Sequence, residues 1–536
     1  MPRHPYRFLF AALALGWLFD FLFWDHPFGI AFAAYTALVL AGGFFLLLPE
    51  NRKPAPLSLL LLLPVTFFAL VTVIRMEPLS LFLAHILTLF SLAVLAVTWL
   101  GGCWPHYQAF DYIGRFILLA VNAITGPEAL LRGLRQQRRQ DGPAAPSLRI
   151  VPVIRGLLLA LPVLFVFTAL LASADLVFNR LLGDFFKLFD LGRLPEYFIR
   201  LVFILIAAFA LAGVYLYAAF KSDDTPLAGE RKPLIPPFIG LTESAVVLGS
   251  VDLLFLVFVI VQFQYFFGGN ANIHVEGYTY SQYARRGFAE LVLVAGFSLV
   301  MILGLSSLTR RETPTQRRIF SGLSLLLSAL VAVILVSSFM RLNLVIDYYG
   351  FTRLRLYPLI FIVWLGLLLI AVVALEAANR QRFFTLAIVI AAYGFAASLI
   401  LYNVDAAAVR HNVWRAGQGK TFDPAYLASL STDAVPALVE RFADPSLPAE
   451  IHEGIGAALV CHLNEDELYE HPAQEWRFFN LSRWQARRAL DAVAPQLADY
   501  SFRPNNPVTY RNGPTVRTPD SSLYNCSVSD FLETID

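Results

Sequence analysis

Between Phe8 and Tyr402 the chain alternates long, nearly uncharged apolar runs with short polar connections. The runs are continuous, without the every-second-residue alternation of a half-buried strand. A helix needs about 20 apolar residues to cross a hydrocarbon core of about 30 Å, and the runs approach that length. In lipid only helices and closed barrels satisfy their own backbone groups. The pattern therefore predicts eleven helical spans, at 8–24, 28–48, 57–74, 79–100, 151–171, 198–220, 241–267, 288–308, 319–340, 358–375 and 383–402. Asp20 interrupts the first span, and Glu243 and Asp252 lie in the seventh.

Two further stretches read as interfacial helices. The stretch 105–139 opens with aromatic residues and ends in a basic amphipathic run from Leu131 to Arg139, suited to anionic headgroups. In the stretch 174–197, Phe185, Phe186, Leu188 and Phe189 are mixed with Asp184, Lys187 and Asp190. After Tyr402 the pattern changes. Asp423-Pro424, Ser431 and Pro448-Ala449-Glu450 are helix-start signals, and 481–497 has an amphipathic period. The reading is a small extramembrane helical domain over 403–500, followed by an extended or disordered tail over 501–536 rich in Pro, Asn, Ser and Thr. The fold class is all-α: a polytopic transmembrane bundle (residues 1–402) with a small C-terminal helical domain.

Composition agrees. Of 536 residues, 57% are hydrophobic and 15% charged, and the mean hydropathy is +0.62. A soluble protein carries roughly 25% charged residues. The net charge of +2 gives no electrostatic case for a nucleic-acid partner. The N-terminal run ends in Asp25-His26-Pro27 rather than a small-residue cleavage site, so it reads as a retained span.

Charge distribution orients the chain. Most Lys and Arg of the short connections fall on the side of the N-terminus, including Arg52, Lys53, Arg132, Arg135, Arg310, Arg311, Arg380 and Arg382. Fewer fall opposite, among them Arg75, Arg200, Arg285, Arg286, Arg353 and Arg355. The positive-inside rule then makes the N-terminus cytoplasmic, and an odd number of spans leaves the C-terminal domain extracytoplasmic.

Two polar segments stand apart from the apolar background. In the first, 278–291, Arg286 and Glu290 are four residues apart and share a helix face, with Tyr283 and Arg285 beside them. In the second, 347–357, Asp347 and Tyr349 precede Thr352, a candidate cap for a helix whose first turns carry Arg353 and Arg355. "YARRGFAEL" and "YGFTRLRLY", followed by a Trp-containing span and "LYNVDAAAVRHN", resemble the bacterial DUF4173/DUF4153 group of multi-spanning membrane proteins over about 241–438. The resemblance implies a multi-pass protein of the bacterial plasma membrane with no established activity, and it assigns no catalytic residue.

Both segments and the C-terminal domain fall on one expected side. Tyr283, Arg285, Arg286, Glu290, Asp347, Tyr349, Arg353 and Arg355 thus form a candidate anion-binding group, since Arg forks suit phosphate and carboxylate. The competing reading is an ion-pair and aromatic lock between span ends. Asp20 and Asp252 are candidate intramembrane ionisable groups. Cys461 and Cys526 form a disulfide if the domain is extracytoplasmic and their Cα atoms come close enough. The acidic turn around Cys461-His462 fits no metal-ligand spacing, so neither metal nor cofactor is expected, and no Walker A, Gly-x-Ser-x-Gly or HExxH motif is present.

Three functions remain. The first is a non-enzymatic membrane module, a scaffold or sensor, whose partners are the lipid bilayer and another membrane or extracytoplasmic protein. The second is a transporter or exporter of a small or lipid-like anion. The third is a membrane enzyme acting on lipid-linked groups at the outer face, with Glu290 or Asp347 as acid–base groups.

Overall fold

The computed structural model describes residues 2–24, 29–140, 167, 194–225, 237–267, 288–378, 380–464, 476–504 and 514–526. Among these, eleven helices are long and apolar enough to cross a membrane. In chain order the described helices are α1 (Pro5–Phe23), α2 (Ile30–Leu47), α3 (Pro56–Leu59), α4 (Leu62–Ile74), α5 (Pro78–Val97), α6 (Ala109–Gln140), α7 (Leu194–Phe220), α8 (Leu241–Phe267), α9 (Phe288–Leu308), α10 (Pro314–Tyr349), α11 (Arg353–Ala377) and α12 (Phe384–Tyr402). The C-terminal helices are α13 (Val404–Gly417), α14 (Pro424–Ala428), α15 (Val435–Phe442), α16 (Ala449–Leu463) and α17 (Leu481–Val493). Strands β1 (Ser501–Arg503), β2 (Thr515–Arg517) and β3 (Leu523–Asn525) form an antiparallel sheet in that order.

The set of spans differs from the sequence expectation in one member. The expected span at 151–171 and most of the interfacial stretch at 174–197 lie outside the described residues. Conversely α6, expected at the interface, is apolar enough over Ala109–Leu134 to cross a membrane. Its mid-helix Asn122 is paired rather than wet. Asn122 is buried, donates to the Gly213 carbonyl (2.9 Å) and accepts from Lys221 Nζ (2.7 Å). Ile113, Ile117, Val121 and Ile124 remain exposed, as lipid-facing residues should.

The chain divides into two compact units. The first comprises 1–25, 38–53 and 118–221. Here α1 lies along α7 through small residues, with Ala12, Ala208 and Ala212 buried together. A Cβ on Gly16 would meet the Ile204 carbonyl at 2.5 Å, so glycine permits the close approach. Asp20, 5% exposed, receives the Arg200 guanidinium as a fork (2.7, 3.1 and 3.2 Å). This pairing lets a carboxylate sit inside an apolar helix.

The second unit comprises 26–37, 54–117 and 222–536. Its helices α4 and α5 form a hairpin, α8 and α9 pack on α10, and α11 pairs with α12. Proline and a side-chain cap start several helices. Glu77 accepts from the Leu79 and Ser80 amides ahead of Pro78, and Thr313 forms a capping box with Gln316 ahead of Pro314. One end of this bundle gathers the connections at 98–108, 222–225, 309–313 and 378–383. The other gathers 75–77, 350–352 and residue 403, and bears the C-terminal helices as a head. At 36 residues, α10 is about 54 Å long, well beyond a bilayer core.

The head's core is continuous with the bundle. Val409, Val413, Leu427, Val435, Leu438, Ile455, Leu459 and Leu490 cluster with Leu356 of α11 and Leu399 of α12. The described parts of the tail are ordered into the three-stranded sheet, with Val516 fully buried. Cys461 of α16 and Cys526 beyond β3 are disulfide-bonded, with Cα atoms 5.4 Å apart.

Candidate functional site

The polar residues of the second unit concentrate where the head meets the bundle. The turn between α10 and α11 carries Gly350 at φ +83°, where a Cβ would meet Arg415 Nη1 and Asn412 Oδ1 at 2.5 Å. Only glycine combines that backbone with that closeness. The next residue, Phe351, exchanges two hydrogen bonds with the Asn412 amide of α13 (2.7 and 2.8 Å) and stacks on His411 at 3.8 Å. Buried Arg415 donates to the Asp347 and Tyr348 carbonyls (3.1 and 2.6 Å), satisfying the open end of α10.

At the start of α11, Arg353 donates Nε–H and Nη2–H to the two oxygens of Asp405, at 2.7 and 2.5 Å. The Asp405 side chain is fully buried, and its Oδ2 also accepts the Ser431 amide (2.9 Å) and hydroxyl (2.5 Å). Thr352 occupies the cap position without using its side chain. Instead the Tyr426 hydroxyl accepts the Arg353 amide (2.8 Å). Burial raises the Tyr426 phenol well above its ordinary range.

A second cluster ties the α4–α5 hairpin to the head. Asp433 Oδ2 accepts the Met76 and Glu77 amides (2.9 and 3.0 Å). Glu77 accepts the Tyr357 hydroxyl. Arg75 donates Nε and Nη2 to the Ile400 carbonyl (3.1 and 2.8 Å). Asn480, the cap of α17, donates to the Thr72 and Arg75 carbonyls (3.1 and 3.2 Å). Burial pushes the Asp433 carboxyl above its usual value despite its donors.

The candidate residues from the sequence distribute unevenly over this geometry. Arg353 belongs to the junction through its ion pair with Asp405. Arg355 donates to the Gly350 carbonyl (2.8 Å) and lies over the Tyr349 ring at 5.3 Å. Asp347 contributes its carbonyl, while its side chain is exposed. Glu290 is exposed on the first turn of α9 and makes no hydrogen bond or ion pair among the described residues. Tyr283, Arg285 and Arg286 lie outside the described residues. Asp20 is paired with Arg200, whereas Asp252 of α8 is 4% exposed and neither carboxylate oxygen has a partner among the described residues.

Sequence reasoning missed Arg75, Glu77, Asn412, Arg415, Tyr426, Asp433 and Asn480. Glu77-Pro78 was a readable helix-start signal. The others meet partners far away in the chain and carry no local mark.

Chemically the junction pairs most of its donors and acceptors with one another, while Arg415 Nε and His411 Nε2 are buried without a partner among the described residues. Arg353 and Asp405 pair with each other, whereas Arg75, Arg415, Asp433 and Glu77 are engaged by carbonyls, amides and the Tyr357 hydroxyl. A 340 Å³ groove lies in the first unit and is lined by Ala123, Ile124, Val202, Leu205, Ile206, Phe209 and Ala210, none of them a candidate residue. Among the described residues no group of three or more His, Cys, Asp or Glu could hold a metal ion.

The family model DUF4153, a domain of unknown function, matches residues 8–441. No curated protein and no solved structure matches the chain.

Proposed function

We propose that this chain, which belongs to the DUF4153 family, is a non-enzymatic membrane module whose C-terminal head is held rigidly on the extracytoplasmic end of the bundle and recognises a protein there. It is an integral membrane protein by its apolar helices. The observation that carries the proposal is the engagement of both Asp405 oxygens by Arg353 and Ser431 across the head–bundle junction. A ligand site keeps groups available, whereas a joint uses them. A sensor or scaffold needs such a joint, because a partner held on the head then acts on the spans directly.

The side of the head is supported within the second unit alone, independently of how many spans precede it. The end opposite the head carries Arg310, Arg311, Arg317, Arg318, Arg380 and Arg382. At the head end Arg75, Arg353 and Arg355 are engaged by carbonyls or by Asp405. The positive-inside rule favours a cytoplasmic location for the first set. The Cys461–Cys526 disulfide supports an oxidising compartment for the head.

The test uses the full chain in its own membrane, with a photoreactive residue at Trp414 or Lys420, both exposed on the head, or at Thr315 on the opposite end. The expected result is a discrete protein adduct from the head positions and none of the same mass from Thr315. Head positions that give no protein adduct contradict the proposal.

A further inference from the structure

The most unusual group in the molecule is Asp252, which takes no part in the head–bundle junction. It is twelfth of the 27 residues of α8, so it lies near the middle of a span. Ser244, Leu248, Asp252 and Val259 form the buried stripe of that helix at helical spacing. Leu248 belongs to a buried cluster with Phe320 and Leu327 of α10, and Val259 to one with Leu330 and Ile334. Asp252 therefore faces α10 between these contacts.

The two helices run in the same direction. Both begin near Thr309, where Ser244 and Thr309 share a hydroxyl hydrogen bond of 2.7 Å. Toward the head end, Gln262 accepts from Ser337 (2.7 Å) and Arg341 (3.1 Å). Ten residues before Gln262 is Asp252, and ten before Ser337 is Leu327, so these two share a level about 15 Å below that contact. One turn from Leu327 is Ser324, also buried, whose Oγ has no partner among the described residues. An orphaned carboxyl and an orphaned hydroxyl thus occupy neighbouring levels of one helix interface.

Among the described residues no charge compensates Asp252. Along α8 the nearest ionisable group is Glu243, nine residues away and bonded to the Gly240 amide. On α10 the described ionisable groups are Arg317 and Arg318 at one end and Arg341, Asp347, Tyr348 and Tyr349 at the other. Arg341 is fourteen residues, about 21 Å, beyond Leu327. On α9, Glu290 is exposed. Glu376 of α11 lies beside Ser321 and Arg311. An ionised carboxylate without donor or counter-ion inside a bilayer costs several kcal/mol. Such a group persists in a span when it has a cation of its own to hold, and the smallest that fits a closed helix interface is a proton.

We propose that Asp252 is an intramembrane proton-binding site, taking up and releasing a proton at the α8–α10 interface with the Ser324 hydroxyl as its neighbour. This goes beyond the role of the head and needs none of it. Protonation removes the buried charge and lets the helices close, and release opens a polar seam between them.

The test is the purified full chain treated with N,N′-dicyclohexylcarbodiimide, an apolar reagent for protonated carboxyls. The acid proton passes to a carbodiimide nitrogen, the carboxyl oxygen bonds to the central carbon, and the adduct rearranges to a stable N-acylurea. Peptide mass mapping should place the label on Asp252, with at least about a tenfold fall as pH rises by two or three units, as expected for a single titrating group. Asp252→Asn should abolish that label and Asp252→Glu should restore it, while Glu290→Gln leaves it unchanged. Mapping of the unmutated chain decides the matter even if Asp252→Asn fails to fold. Asp252 left unlabelled overturns the proposal, and so does a label that does not vary with pH.

Discussion

Asp405→Asn should undock the head without unfolding it. The substitution keeps the volume of a fully buried side chain and deletes the charge that faces Arg353. The Arg353 fork at 2.5 and 2.7 Å then loses its counter-ion, and an amide NH₂ must face Arg353 or the Ser431 donors. Removing one member of a buried, hydrogen-bonded ion pair costs about 3–5 kcal/mol. The whole stability of a domain is about 5–15 kcal/mol, so this is a large fraction of what holds the joint. Hydrogen exchange on the full chain reads it directly. At about 1.4 kcal/mol per decade, the amides of Asp405 to Val409 should exchange roughly two to three and a half orders of magnitude faster. Amides of α16, held by the disulfide and the head's own core, should change far less. The double variant Arg353→Met, Asp405→Asn should cost less than the two single variants added together, because neither leaves an unpaired charge for the other to suffer. An increase in exchange below tenfold, or strict additivity, would falsify the claim that this pair locks the joint.

Other consequences follow from the same contacts. Cys461→Ser opens a link between residues 65 apart in sequence, for which chain entropy alone gives about 4 kcal/mol; thermal unfolding should shift to lower temperature, and β2 and β3 should become the first protease-sensitive part of the head. An unshifted midpoint would contradict this. Gly350→Ala should destabilise the junction by more than about 1 kcal/mol, since it combines a left-handed backbone with a contact at 2.5 Å, and an equilibrium denaturation midpoint equal to the parent's would count against it. Burial raises the Asp433 carboxyl above its unfolded value, so the folded head binds that proton more tightly than the unfolded chain does. The contribution is therefore full at acid pH and is lost as pH rises through the folded value; Asp433→Asn should flatten this part of a stability–pH profile.

The bundle was readable because lipid imposes a one-dimensional rule: continuous apolar length. That rule located α1, α2, α4, α5, α7 to α9, α11 and α12 to within about five residues, while α10 runs nine residues past the expected end at 340. It read α6 as interfacial from its aromatic start and basic end, although Ala109–Leu134 is long and apolar enough to cross a membrane. The head's starts at Asp423 and Ser431 were legible from side-chain capping, and the start at Ala449 from the preceding Pro448 and the Glu450 of its first turn. The junction was legible only where one partner lay in a marked segment. Arg353 and Asp405 stand in two of the three quoted motifs, whereas Tyr357–Glu77, Met76–Asp433 and Thr72–Asn480 join residues 280, 357 and 408 positions apart. Nothing local in a sequence encodes contacts of that range. The two Asp residues within spans make the same point: Asp20 found Arg200, 180 residues on, while Asp252 has no partner among the described residues.

The central claim is that the head stands locked on the extracytoplasmic end of the bundle. Labelling intact cells with a membrane-impermeant maleimide tests it most directly, using Gln418→Cys on the head and Thr315→Cys at the opposite end, both exposed, in a background where the free Cys103 is Ser. The account predicts that Gln418→Cys labels in intact cells and Thr315→Cys only after lysis. Labelling of Thr315→Cys in intact cells, with Gln418→Cys protected, would contradict it.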